Sequence, residues 1–409
     1  MEEFAAAKSL AKGETGALQS PSTRLKRRAT VRTRSPLIAL TAVGLVMAAQ
    51  ARAGMITLTV GSAATPTLSS AANLANSDLD LSNTYDILIP TGNYVNQFAE
   101  VMRPMTIEAS GGPVTLSASG QLLDNKGIIV TTSSLTVKGI TFQGAAIDNS
   151  LGGNGAGIRD QSTGATTLRV ENSTFLQNQD GILTAGSKNQ ETVQIINSNF
   201  FGNGNPTDSQ GQEHALYVGD AASLLVSGST FCGTAIGHNI KSRATTTTIS
   251  NTTSYDGVQA AACAAAGIGA GSSSYAIDLP NGGNATLNND TIIQGALTQN
   301  NTMVRYGEEG LPYALNQLLV SDTTLTNSGV DGVGIQGAGA DGTCQLSNTT
   351  FTGVNTPVSP ASFCTIAAPS HPTSVDEPSM IWLVWLAAMS LISLYLVPRP
   401  KVKADPLAS

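Results

Sequence analysis

One eight-residue phrase recurs along this chain. It reads Leu135-Thr-Val-Lys-Gly-Ile-Thr-Phe142, Leu168-Arg-Val-Glu-Asn-Ser-Thr-Phe175, Val193-Gln-Ile-Ile-Asn-Ser-Asn-Phe200 and Leu224-Leu-Val-Ser-Gly-Ser-Thr-Phe231. Looser copies begin at Thr247, Ala285 and Leu318, and a sharp one returns at Cys344-Gln-Leu-Ser-Asn-Thr-Thr-Phe351. Successive copies start 33, 25, 31, 23, 38, 33 and 26 residues apart. A helical repeat would hold its length, because each unit must offer the same face to the next. A conserved β phrase with drifting spacing instead puts the variation in loops, one phrase per turn. The pattern predicts an all-β chain wound into a parallel solenoid of roughly eight to eleven coils, spanning 54–356. Asn at the middle of the phrase suits a sharp corner, since it tolerates left-handed backbone. The Val, Ile, Leu and Phe positions are core, with the phenylalanines stacked one above another.

Such a fold aligns equivalent residues of successive coils in columns. Between phrases lies a second strand, anchored on Ile158, Ile182, Leu216, Ile240, Ile277, Val304 and Ile335. Side chains alternate across a strand. The next residue therefore faces outward, giving the column Arg159, Leu183, Tyr217, Lys241, Asp278, Arg305, Gln336. Arg243 stands beside it, and His214, His238 and Tyr275 lie two positions before their anchors, where a bend would bring them to the same face. Scarce ionisable groups are thus concentrated in one region, as they are where binding or chemistry occurs.

The Asn-Ser-x-Phe phrase and the Gly-Ile-rich second strand resemble the pectin-lyase-like right-handed parallel β-helix superfamily over about 55–356. The resemblance implies that fold, and a range of activities: polysaccharide lyases, hydrolases, uronate epimerases and surface proteins without known activity. Its lyases and epimerases use basic residues in a groove, often with calcium. The residues here suit removal of the C5 proton of a uronate, which needs a base, a cation for the carboxylate and an acid. Lys241, flanked by Arg243 and Arg305, is the expected base, activated by like charge. Arg243 or Arg305 would hold the carboxylate, and Tyr217 or His238 would serve as acid. His214, Tyr275, Asp278 and Arg305 are expected to bind substrate. Asp278 with Glu308 and Glu309 is the set that would take calcium, the one cofactor considered. A hydrolase fits less well, since no Asp-Asp pair lies near. The other reading is a non-catalytic surface or matrix protein that binds glycan or acts as an adhesin or spacer.

The ends point to export. A basic stretch precedes the apolar run 36–49, and Ala51-Arg-Ala53 offers small residues for cleavage, so 1–53 reads as a signal peptide. Residues 357–378 read as a Pro/Ser-rich linker, 379–398 as a C-terminal transmembrane or sorting segment, and 399–409 as a basic cytoplasmic tail. Glu377-Pro378, the apolar span and the basic end resemble the PEP-CTERM sorting tail of bacteria, which is removed during export. Here Asp376 replaces its first proline, and Ala404–Ser409 extend beyond the basic end. The expected location is the cell envelope, with the bacterial membrane as a partner through this segment.

Of 21 Lys+Arg, nine precede Gly54 and three follow Val397, while 24 of the 28 acidic residues lie between. The body therefore carries a formal charge of about −15, which argues against a nucleic-acid partner and leaves an acidic polysaccharide to be held by a local basic site. Cys232, Cys263, Cys344 and Cys364 all fall in this body, and an even count in an oxidising compartment predicts disulfides. Three connectivities are open. Sequential pairing would join positions about one coil apart, and the alternative zinc site lacks C-x-x-C or His-rich spacing.

Overall fold

The structure, a computed structural model, describes residues 54–366 except 187–189, 205–212, 330 and 339–341. The expected signal peptide, C-terminal span and basic tail lie outside the described residues. No helix of the described residues is long and apolar enough to cross a membrane.

The chain winds as a parallel β-helix. The phrase copies stack in register, from Ile56 through Leu135, Leu168, Val193, Leu224, Thr247, Ala285, Leu318 and Cys344 to Cys364. The strand that ends each phrase forms a second ladder, joined to the first through the long strands Thr84–Val95 and Met105–Ser117. The parallel strands lie in stacked sheets, as a parallel β-helix requires. Phe142, Phe175, Phe200 and Phe231 stack inside at ring separations of 5.1, 4.7 and 4.5 Å, with no exposed surface. Offset stacking of this kind adds to the gain from burial.

The corner explains the Asn-Ser/Thr pair. Asn172, Asn197, Asn251, Asn289 and Asn348 all have φ between 46° and 55°. Asn289 Nδ2 donates to Asn251 Oδ1 of the preceding coil at 2.7 Å. Gly228 takes the same corner at φ 61°, where a Cβ would lie 2.3 Å from Asn197 Oδ1. The following hydroxyl satisfies backbone donors at the break between strands. Ser173 N–H donates to Ser198 Oγ at 3.2 Å, and Ser198 N–H to Ser229 Oγ at 3.1 Å. Buried N–H groups need such partners wherever the sheet is interrupted.

The second strand of each coil builds a separate ten-stranded sheet. Ile158, Ile182, Leu216, Ile240, Ile277, Val304 and Ile335 are in register at its inner face and fully buried. This sheet carries the candidate site.

Two features differ from expectation. A ten-residue helix, α1 (Leu68–Ser77), interrupts the first coil, although no amphipathic helix is evident from the sequence. Its buried stripe is Leu68, Ala71, Ala72 and Ala75, helical in spacing but too weakly apolar to stand out. The stripe packs on Ala99–Val101, the first strand of the second sheet, and covers that edge. Met55–Thr59 forms the first rung of the phrase ladder. At the other end Thr356–Ser359 and Cys364–Ile366 add strands to both sheets, so the coil continues past 356 into the expected linker.

The cysteines pair sequentially. Cys344–Cys364 joins register partners with Cα atoms 4.2 Å apart. Cys232–Cys263, at 6.1 Å, ties the short helix α2 (Ala261–Ala265) over Leu176, Phe201 and Tyr255, a satellite core outside the sheet.

Candidate functional site

The outward column is the one read from the sequence: Arg159, Leu183, Tyr217, Lys241, Asp278, Arg305 and Gln336 are register partners on successive strands. Adjacent rungs of such a sheet are about 4.8 Å apart, so their side chains touch. Tyr217 is the centre of the cluster. Lys241 Nζ lies 5.7 Å from its ring centroid and the Arg243 guanidinium carbon 6.0 Å from it. Arg243 Nε donates to Tyr217 Oη at 3.0 Å. The same guanidinium grips Glu309 through two bonds of 2.5 and 2.8 Å, and reaches Asn281 Oδ1 at 2.8 Å. That bidentate bond holds the Glu309 carboxyl below its ordinary range and raises Arg243. Tyr313 donates to the Arg243 carbonyl, so the loop after Tyr306 folds back over the column.

The expected crowding of Lys241 by positive charge is not what forms. Each cation has its own carboxylate: Lys241 with Asp278 at 3.4 Å, Arg243 with Glu309, and Arg305 with Glu308 at 3.2 Å. The calcium set fails for the same reason. Asp278, Glu308 and Glu309 turn to three different cations, and among the described residues no group of three His, Cys, Asp or Glu side chains could hold a metal.

The histidines also depart from their expected role. His214, His238 and Tyr275 stack at 4.8 and 5.0 Å, and both histidines are buried. His214 Nδ1 accepts the His238 N–H at 3.0 Å, and His238 Nδ1 accepts the Tyr275 N–H at 3.2 Å. Both rings therefore carry their proton on Nε2, an assignment fixed by these bonds. His238 Nε2 points to Asp278 Oδ2 at 3.3 Å. Burial, and then the Lys241 charge, hold His238 near 3, while burial and the His238, Lys241 and Arg243 charges hold His214 well below its ordinary value. Neutral His238 has its Nδ1 lone pair occupied by the Tyr275 N–H and turns its Nε2–H toward Asp278, a placement that suits orienting Asp278 rather than moving protons. Burial raises Asp278 to about 6 against the opposing pull of Lys241.

A concave pocket of about 460 Å³ opens at the Arg159 end of the column. It is lined by Asn154, Arg159, Leu183, Thr184, Ala185, His214, Tyr217 and Lys241, with no carboxylate among its described walls. Arg159 was not singled out from the sequence, because Leu183 separates it from the other polar rungs. The available signal was its place in the outward column. Asp180 lies behind it, fully buried, accepting the His214 N–H at 2.7 Å, and burial pushes its carboxyl to about 8. A cleft of equal volume lies near Ile268, but its described walls hold amides, glycines and alanines and no ionisable side chain. Chemistry, not volume, selects the Tyr217 pocket.

The structure thus brings Tyr217, Lys241, Arg243, Asp278, Arg305 and His214 together, with buried His238 beside them and half-buried Tyr275 stacked on it. No family model and no curated protein matches the chain. Among solved structures, the chain is similar to one titled "Crystal structure of pectate lyase Pel9A", at 13% identity and a TM-score of 0.40, over 70% of this chain and 72% of that one.

Proposed function

We propose that the second sheet binds an acidic polysaccharide and that the Tyr217 pocket acts on a uronate residue by removing its C5 proton. One observation carries this reading: Tyr217, held by Arg243 and flanked by Lys241, faces a pocket that gathers cations and, among its described walls, no carboxylate. The sheet offers a regular surface on which a linear polymer can lie. Loss of the C5 proton puts negative charge onto the sugar carboxylate, and fixed cations at that point lower the barrier. Tyr217 and Lys241 are the proton-transfer groups at the pocket, with Arg243 positioning the former and Asp278 the latter. In elimination, the electron pair left at C5 forms the C4–C5 double bond, the C4–O bond breaks, and the departing oxygen takes a proton. In epimerisation the proton returns to the opposite face of C5. Export and attachment through the C-terminal segment, as read from the sequence, belong to the same proposal and would put the protein where such polymers occur.

The ion pairs of Lys241, Arg243 and Arg305 favour a second reading, in which the column binds glycan without reaction. Incubating the full chain with pectate and alginate in heavy water separates the cases. A lyase yields an ultraviolet-absorbing unsaturated end, and an epimerase places deuterium at C5. If neither appears while the polymers still bind, the reaction is refuted and the binding role stands.

A further inference from the structure

The Arg159 end of the pocket is built for a second negative group. Arg159 is three rungs from Lys241 and two from Tyr217, the latter about 10 Å along the stack. No carboxylate lies within ion-pairing distance of it among the described residues, unlike Lys241, Arg243 and Arg305, although the buried Asp180 behind it attracts it through space. Its Nε and Nη1 face inward without a hydrogen-bond acceptor, leaving the rest of the guanidinium to the pocket. A charge so placed is costly until an anion meets it. Leu183, on the rung between Arg159 and Tyr217, is largely buried and contributes only an apolar edge to the pocket lining. Asn154 and Thr184 add hydrogen-bonding groups at the rim.

We infer that Arg159 is a carboxylate-binding residue that takes the uronate next to the one at Tyr217, so that the site selects two adjacent acidic sugars. The inference rests on the polysaccharide reading above and sharpens it. Arg159 touches no reacting atom; it sets specificity.

The test is calorimetric binding of a short oligogalacturonate, and of its carboxyl-reduced neutral counterpart, to the full chain and to Arg159→Gln and Arg159→Lys. Loss of one charge-assisted contact should weaken acidic oligomer binding about 10- to 100-fold in Arg159→Gln, with Arg159→Lys between it and the unsubstituted protein. Neutral oligomer binding should be the same in all three. An Arg159→Gln protein that keeps the full preference for the acidic oligomer overturns the inference while the polysaccharide reading stands. An unsubstituted protein that binds no acidic oligomer overturns both. Should Arg159→Gln fail to fold, dicarbonyl modification of the unsubstituted chain gives the answer by peptide mapping. The acidic oligomer should shield Arg159 and the neutral one should not, and equal labelling with both refutes the assignment.

Discussion

Asp290 breaks the hydroxyl ladder that joins the coils, and its replacement gives a prediction with a definite sign. Ser173, Ser198, Ser229, Thr252 and Thr323 occupy the equivalent corners, each bonding the carbonyl two residues back. Asp290 puts a carboxyl where the other corners have an alcohol. Its Oδ1 instead accepts the Thr252 N–H at 2.9 Å and its Oδ2 the Asn288 N–H at 3.0 Å. Burial raises the carboxyl from 3.8 to about 7 despite both bonds. A folded-state value above the unfolded one means that the folded protein holds the proton longer. Stability is then full below about 4, falls as pH rises to about 7, and is flat beyond. At about 1.4 kcal/mol per pH unit, the interval sets a ceiling of about 4 kcal/mol. Thr at this position would restore the hydroxyl ladder and remove the titration. Asp290→Thr should therefore match the unsubstituted protein near pH 4 and exceed it at pH 8, by up to that ceiling. Asp180, Asp256 and Asp278, raised by burial to about 8, 6 and 6, contribute slopes of the same sign. The test is accordingly the difference between the two proteins in denaturation midpoint across pH 4 to 9. A difference that does not grow with pH, or an Asp290→Thr protein less stable at pH 8, refutes the reasoning.

Phe200→Ala removes the ring packed between Phe175 and Phe231 at 4.7 and 4.5 Å, and should cost about 3–5 kcal/mol in chemical denaturation. A loss under about 1 kcal/mol would mean that the stack collapses freely around the gap. Arg243→Lys keeps the charge but loses the planar fork that joins Tyr217 to Glu309. It should lower turnover of a uronate polymer about 10- to 100-fold with a smaller change in binding, as expected of a positioning residue, and parallel losses in both would assign Arg243 to binding instead.

Much of the fold was legible because a β-helix repeats its constraints. A position that must point inward in one coil must do so in the next, so Ile158, Ile182, Leu216 and Ile240 announce the register and Tyr217 and Lys241 follow. The corner asparagines were legible for the same reason, since a left-handed residue is needed at every turn. The helix α1 was not, because three of its four buried positions are alanines that exert little periodic signal. The ion-pair partners were hidden in the loop after Tyr306, whose length is peculiar to one coil, so nothing in the repeat fixes where Glu308 and Glu309 return. The roles of His214 and His238 depended on a backbone detail: their Nδ1 atoms accept N–H groups of the next coil. Arg159 was in the correct column, but contiguity of polar rungs was a poor guide to which side chains share a pocket.

The most direct test of the account is hydrogen exchange of the full chain with and without oligogalacturonate, read by mass spectrometry. Binding on the second sheet predicts slowed exchange in the segments around Ala156–Asp160, Leu216–Val218 and Ile240–Ser242, with no change in the phrase strands on the other faces. Protection confined to the phrase strands, or absent everywhere at saturating oligomer, would contradict the placement of the site and with it the proposed function.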